Sequence, residues 1–143
     1  LLYYFNFVQA PGVAAAKADG TAGGITKHIA PRALLFFRWA AVVTWVTGAA
    51  YLMRASHLSF ADAFMLKGAS ATIGLGAWLG TIMFFNVWVL IWPNQKKVLG
   101  IVPADDAAKA KAARVAFLAS RTNTMLSIPM IFFMVAGPHG LPV

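Results

Sequence analysis

Four side chains in this sequence could act on a charged ligand from within apolar surroundings: Arg38, Asn86, Arg121 and Asn123. Arg38 lies about one and a half helical turns into the run from Arg32 to Arg54, and Arg121 sits at a similar depth in the last apolar run. Asn86 falls about two turns before the motif Trp92-Pro93-Asn94-Gln95-Lys96-Lys97. Guanidinium and carboxamide groups together suit an anion: a lipid headgroup, a haem propionate or an acidic small substrate. No carboxylate lies at that depth to neutralise the arginines, and an intramembrane charge costs several kcal/mol unless it reaches the interface or a partner. One reading is a shallow cationic pocket lined by these four residues. The alternative is that both arginines snorkel to the phosphate layer while the asparagines bond between helices.

His28, His57 and His139 are the nitrogen donors available to haem or a metal. None is central to an apolar run and no two share helical spacing, whereas a b-type haem wants two histidines facing one another. His57 and His139 remain as metal candidates. The chain has no cysteine, which excludes disulfides, thiolate metal sites, iron–sulfur clusters and covalent c-type haem within it. No cofactor is therefore expected within this chain, and haem b only if a further segment or a partner supplies ligands. No H-E-x-x-H or P-loop occurs, and Gly74-Leu75-Gly76 lies in an apolar run rather than after a strand.

The elements that must position these residues are hydrophobic helices. The chain is 60% hydrophobic and 11% charged, against about 45–50% and about 25% in soluble domains. A net charge of +8 could suit nucleic acid, but the bases gather at the ends of apolar runs rather than on a soluble face, so nucleic acid is not expected as a partner. The reading is a single all-α domain over residues 1–143, an integral membrane helical bundle. It has three complete transmembrane helices at about 33–54, 69–92 and 115–136, and a partial one at about 1–10. Leu1 opens inside an apolar segment, as the latter half of a first helix would. Pro11-Gly12 is expected to end that half-helix, residues 11–31 to form a small, polar loop, and Pro93 to stop the second full span. Pro129 is expected to kink the last one.

Orientation follows from the bases. Residues 11–32 carry Lys17, Lys27 and Arg32, and residues 93–114 carry Lys96, Lys97, Lys109, Lys111 and Arg114, so both segments are expected to be cytoplasmic and the C-terminus periplasmic. Gly76 and Gly80 form a GxxxG step with Gly74 one turn earlier, and Thr44 and Gly48 form a similar small pair. Such positions let another helix approach closely.

Several segments together resemble one family: Leu1 to Phe7, Pro31-Arg32-Ala33-Leu34 through Arg38-Trp39, Gly80 to Met83 through Asn86-Val87, and Pro93 to Lys97. The last is Ser120-Arg121-Thr122-Asn123-Thr124 with Ser127-Ile128-Pro129 and Phe132-Phe133-Met134. In these the chain resembles the urate oxidase N-terminal membrane domain family, of the bacterial membrane-bound urate hydroxylase type, in a short form without the cytochrome c domain. The resemblance implies a helical membrane domain. In long members it is joined to an outward-facing cytochrome c domain that carries electrons from urate oxidation to the respiratory chain. It also implies a histidine after the last span, to which His139 is loosely similar.

Two kinds of function stay open, with a third beside them. The absence of a catalytic constellation, together with the glycine face, favours an accessory membrane subunit of a larger redox or energy-transducing complex in the bacterial inner membrane. Its partners would be the lipid bilayer, other membrane subunits and an anionic lipid or small anion. The resemblance implies instead a urate-oxidising membrane domain, with Arg38, Asn86, Arg121 and Asn123 holding the anionic purine. The third reading is a b-type haem-binding membrane protein.

Overall fold

The computed structural model describes residues 1–139, and all of its regular elements there are helical. A π-helical turn, Tyr4–Gln9, runs into α1 (Ala10–Ala18). After a break, α2 (Ala22–Gly24) passes through a second π turn, Ile25–Ile29, into α3 (Ala30–Arg54). The short α4 (Phe60–Phe64) and a 3-10 turn, Gly68–Ser70, lead to α5 (Ala71–Phe85). A third π turn, Asn86–Ile91, joins α5 to α6 (Trp92–Val98), and α7 (Asp106–His139) closes the chain.

Two continuous helices, Ala22–Arg54 and Gly68–Val98, are long and apolar enough to cross a membrane. Only 6% and 28% of their most apolar stretches are buried, where the core helix of a soluble protein would be mostly covered. These contain the expected spans 33–54 and 69–92. The third expected span, 115–136, lies within α7, which has the length but is not among the helices that meet both criteria.

Residues 11–31 are not a loop. They are helical apart from a break at Asp19-Gly20-Thr21. There Gly20 takes a φ of 71°, and the amides of Gly20 and Thr21 bond back to Lys17 O and Ala16 O at 3.2 and 2.8 Å. A left-handed residue closing a helix in this way is what glycine permits at no steric cost. Pro11 does not end the first helix, nor does Pro93 stop the second, which continues to Val98. The physical reason lies just upstream of each ring. Pro11, Pro31 and Pro93 each follow the end of a π turn by two residues. A proline inside an α-helix lacks a donor and crowds the carbonyl one turn back. A π turn widens the ladder by one residue: Ala10 N reaches Phe5 O, and Ala30 N reaches Ile25 O. The ring is thus admitted without breaking the helix.

The end of α6 repeats the closure seen after α1, with Gly100 at φ 74° and Ile101 N bonded to Lys96 O at 2.9 Å. At the start of α7, Asp105 Oδ1 accepts from Ala108 N at 2.7 Å. A carboxylate there satisfies an orphan amide and meets the positive end of the helix dipole.

The described residues fall into two compact units. One comprises Leu1–Ala40 with Asn86–Thr124, and the other Ala41–Phe85 with the chain from Met125 onward. In the second, α4 is capped by Ser59, whose hydroxyl accepts from Asp62 N at 3.3 Å. A small apolar core forms from Leu52, Ala63, Ile73 and Ala77, with Phe60 and Phe64 packed on it. Trp78 Nε1 donates to Phe64 O at 3.0 Å, and Trp45 Nε1 to Thr81 Oγ1 at 3.0 Å.

Candidate functional site

The polar chemistry of the first unit sits where a soluble protein would place its apolar core. Along the part of α7 in this unit the buried residues include Ala112, Ala116, Ala119, Asn123 and Thr124, while Phe117 and Leu118 are exposed. The spacing Ser120, Asn123, Thr124, Ser127 is that of one helical face. This face is inward, and beside it α7 exposes Arg121 and Thr122 as well as apolar side chains. Among the described residues the largest fully buried side chain is Asn123, only 1% exposed, whereas Met125 beside it is 73% exposed.

Two amides from π turns reach this helix. Asn86 Nδ2 donates to Asn123 Oδ1 at 2.9 Å. Asn6 Nδ2 donates to Ser120 Oγ at 2.8 Å and to Leu2 O at 3.0 Å. Each π turn displaces a residue from the regular helical ladder, and here each carries one of the two asparagines. Two buried acceptors in the same unit, Asn6 Oδ1 and Gln9 Oε1, meet no donor. An acceptor left without a partner away from water costs about 1–3 kcal/mol, so such atoms in a folded chain point to a ligand or water.

Of the four residues expected to line one pocket, the structure joins two. Asn86 and Asn123 are hydrogen-bonded. Arg121, two residues before Asn123, projects from another face of α7 and is exposed, with its guanidinium 5.1 Å from the Phe117 ring of its own helix. Arg38 lies flat on Trp92, its guanidinium carbon 3.6 Å from the ring centre, and its Nη1 is buried with no hydrogen-bond partner. Asn6, Gln9 and Ser120 were missed as site residues. The signal for them was present in the spacing of polar residues at 120, 123, 124 and 127, and in two amides three residues apart within an apolar segment.

Of the residues expected to pack, Gly74, Gly76 and Gly80 lie against their own chain. A side chain at Gly74 would collide with Ala63 O, and one at Gly76 would meet Met134 Cγ at 2.7 Å. At Gly80 the nearest atom would be Met130 Sδ at 3.5 Å, an ordinary contact, and at Gly48 the space is open. Thr44 is exposed. Gly74 is thus filled by Ala63 of α4, and Gly76 and Gly80, on another face of α5, by Met130 and Met134 of α7.

His28 and His57 are both exposed, in different units, and the side chain of His139 lies outside the described residues. Among the described residues no group of three or more His, Asp or Glu side chains could hold a metal ion. A b-type haem would take a facing pair of histidines.

These features define an all-helical protein with two helices long and apolar enough to cross a membrane and a polar interior in one unit. The family described as urate oxidase N-terminal matches residues 52–141, more than half of the chain, and the chain belongs to that family. Comparison with curated proteins gives no match, and neither does comparison with solved structures.

Proposed function

We propose that this chain is a membrane-embedded helical domain of a urate-oxidising system. It holds the purine anion among the polar side chains of its first unit and yields electrons to a respiratory acceptor. Membership of the urate oxidase N-terminal family carries this reading. The orphan acceptors Asn6 Oδ1 and Gln9 Oε1 support it chemically, because urate is rich in ring N–H donors and such donors are what these atoms lack. The Asn86–Asn123 pair would add a carboxamide wall. Addition of water to the purine releases electrons and protons, and the redox group that accepts the electrons belongs, in this reading, to a partner subunit or domain. The lysine-rich segments 11–32 and 93–114 would face the cytoplasm and the C-terminus the periplasm of a bacterial inner membrane. Three full spans, with α7 as the third, belong to the same reading.

The test is urate consumption by membranes that contain the full-length protein and an electron acceptor. Asn6→Leu and Gln9→Leu are each expected to slow it by about tenfold, the cost of one buried hydrogen-bond partner to a substrate. Absence of urate consumption by the folded protein with acceptor present would overturn the proposal. The accessory-subunit reading draws on the exposed apolar side chains Leu35, Phe36 and Trp39 of α3. It would be favoured if urate oxidation survived both substitutions but vanished when the whole chain was removed.

A further inference from the structure

We propose that Arg38, Trp92 and Lys96 form a binding site for the phosphate of an anionic phospholipid headgroup. The site is separate from the amides assigned to the purine, and it stands or falls independently of that reading.

Two cations share one indole. The Arg38 guanidinium stacks at 3.6 Å from the Trp92 ring centre, and Lys96 Nζ lies 5.8 Å from the same point. Trp92 and Lys96 fall one turn apart on α6, and Arg38 reaches the ring from α3. The ring's negative face stabilises each cation, but it is no hydrogen-bond acceptor of the strength that a guanidinium wants. Arg38 Nη1 is buried and finds none. The single ion pair among the described residues joins Lys109 to Asp106, so no carboxylate neutralises Arg38 or Lys96. The chain's four acids, Asp19, Asp62, Asp105 and Asp106, all lie outside the helices that carry these two cations.

What is lacking is an oxyanion with several acceptor oxygens. A phosphate suits both donors, since the planar guanidinium fork takes two oxygens and the ammonium acts as a mobile point charge on a third. The surroundings select a lipid source. Phe36 and Trp39 flank Arg38, Val89 and Leu90 precede Trp92, and all four are exposed apolar side chains along which acyl chains can lie. Lys97, next to Lys96, is exposed and adds a further positive charge for an anionic headgroup. A basic residue near such a surface contributes roughly 1 kcal/mol of attraction.

The test uses the full-length protein in mild detergent, titrated with phosphatidylglycerol, with bound lipid counted by native mass spectrometry. Lys96→Gln is expected to weaken binding about fivefold. Arg38→Gln should weaken it about tenfold, and Arg38→Lys, which keeps charge but loses the fork, should fall between wild type and that value. Lys111→Gln, in the same basic segment 93–114 but not among the cations over the Trp92 ring, should change it by less than about twofold. If Arg38→Gln does not fold, judged by helical circular dichroism, Lys96→Gln decides alone. The proposal is overturned if Lys96→Gln binds phosphatidylglycerol as wild type does, or if Lys111→Gln loses as much as Lys96→Gln. It is also overturned if phosphatidylcholine binds equally well, or if inorganic phosphate displaces the lipid mole for mole.

Discussion

The two units solve the problem of an apolar exterior in opposite ways. The first carries ten of the twelve Lys and Arg side chains, all three π turns and the buried carboxamides of Asn6 and Asn123. The second carries two bases, Arg54 and Lys67, and is closed by small residues and aromatic rings. Where water does not compete, the driving force for apolar helices to associate is close packing and hydrogen bonding rather than burial of oil from water. The second unit uses close packing at Gly74 and Gly76. The first uses hydrogen bonds, at Asn86–Asn123 and Asn6–Ser120. A packed interface tolerates no added volume. A hydrogen-bonded one tolerates volume better than it tolerates the loss of one partner.

The largest expected effect tests the packed unit. Gly74→Leu would drive a side chain into the carbonyl of Ala63, and backbone cannot move aside as a flexible side chain can. Overpacking of this kind is expected to cost about 3 kcal/mol and to detach α4, with Phe60 and Phe64, from the turn below Trp78. Thermal unfolding in detergent should show a large drop in midpoint, and unchanged stability would mean that α4 does not rest on α5. One turn half-step along, Gly76→Ala meets a flexible Met134 side chain as well as backbone at 3.2 Å, so a smaller loss of about 1 kcal/mol is expected.

The next effect tests the bonded unit. Asn123→Leu removes the acceptor for the half-buried Asn86 amide, which should cost about 1 kcal/mol. Asn86→Leu should cost a similar amount. The double variant should cost distinctly less than the two losses together, because both singles lose the same Asn86–Asn123 bond. Strict additivity in the same unfolding measurement would show that the 2.9 Å contact carries no coupling. The contrast between units is thereby sharpened: a second substitution at the polar pair should add little further cost, whereas no single partner change makes room for Leu at 74.

The legible part of this molecule was the part governed by hydrophobic runs. The long helices at 33–54, 69–92 and 115–136 follow from apolar length alone, and each lies inside an observed helix. The 2.9 Å Asn86–Asn123 bond accords with the alternative reading, in which the asparagines bond between helices. The segment 11–31 was misread because Pro11, Pro31 and the glycines are strong punctuation in a regular α ladder, and a π turn changes the ladder rather than obeying it. Grouping Arg121 with Asn123 failed for a simpler reason. Two residues on a helix differ by about 200° in direction, so a buried Asn123 places Arg121 toward the outside. Arg38 was expected to seek an anion in that pocket. It rests instead on Trp92, the last residue of the expected span 69–92.

The smallest expected effect is also the sharpest probe of what lies outside the chain. Gly48 has nothing within 4 Å of where a side chain would begin, and Thr44, one turn earlier, is exposed. With its own chain absent from this face, Gly48→Ala should raise stability slightly, by about 0.5 kcal/mol, through helix propensity alone. That outcome would complete the glycine series, with cost tracking the nearest atom from Gly74 through Gly76 and Gly80 to Gly48. A loss of stability in the lipid-embedded protein, absent once a mild detergent has separated it from its neighbours on native gels, would mean the reverse. The Thr44–Gly48 pair would then be a seat for a helix of another subunit, and the small residues of α3 would serve association while those of α5 serve the fold.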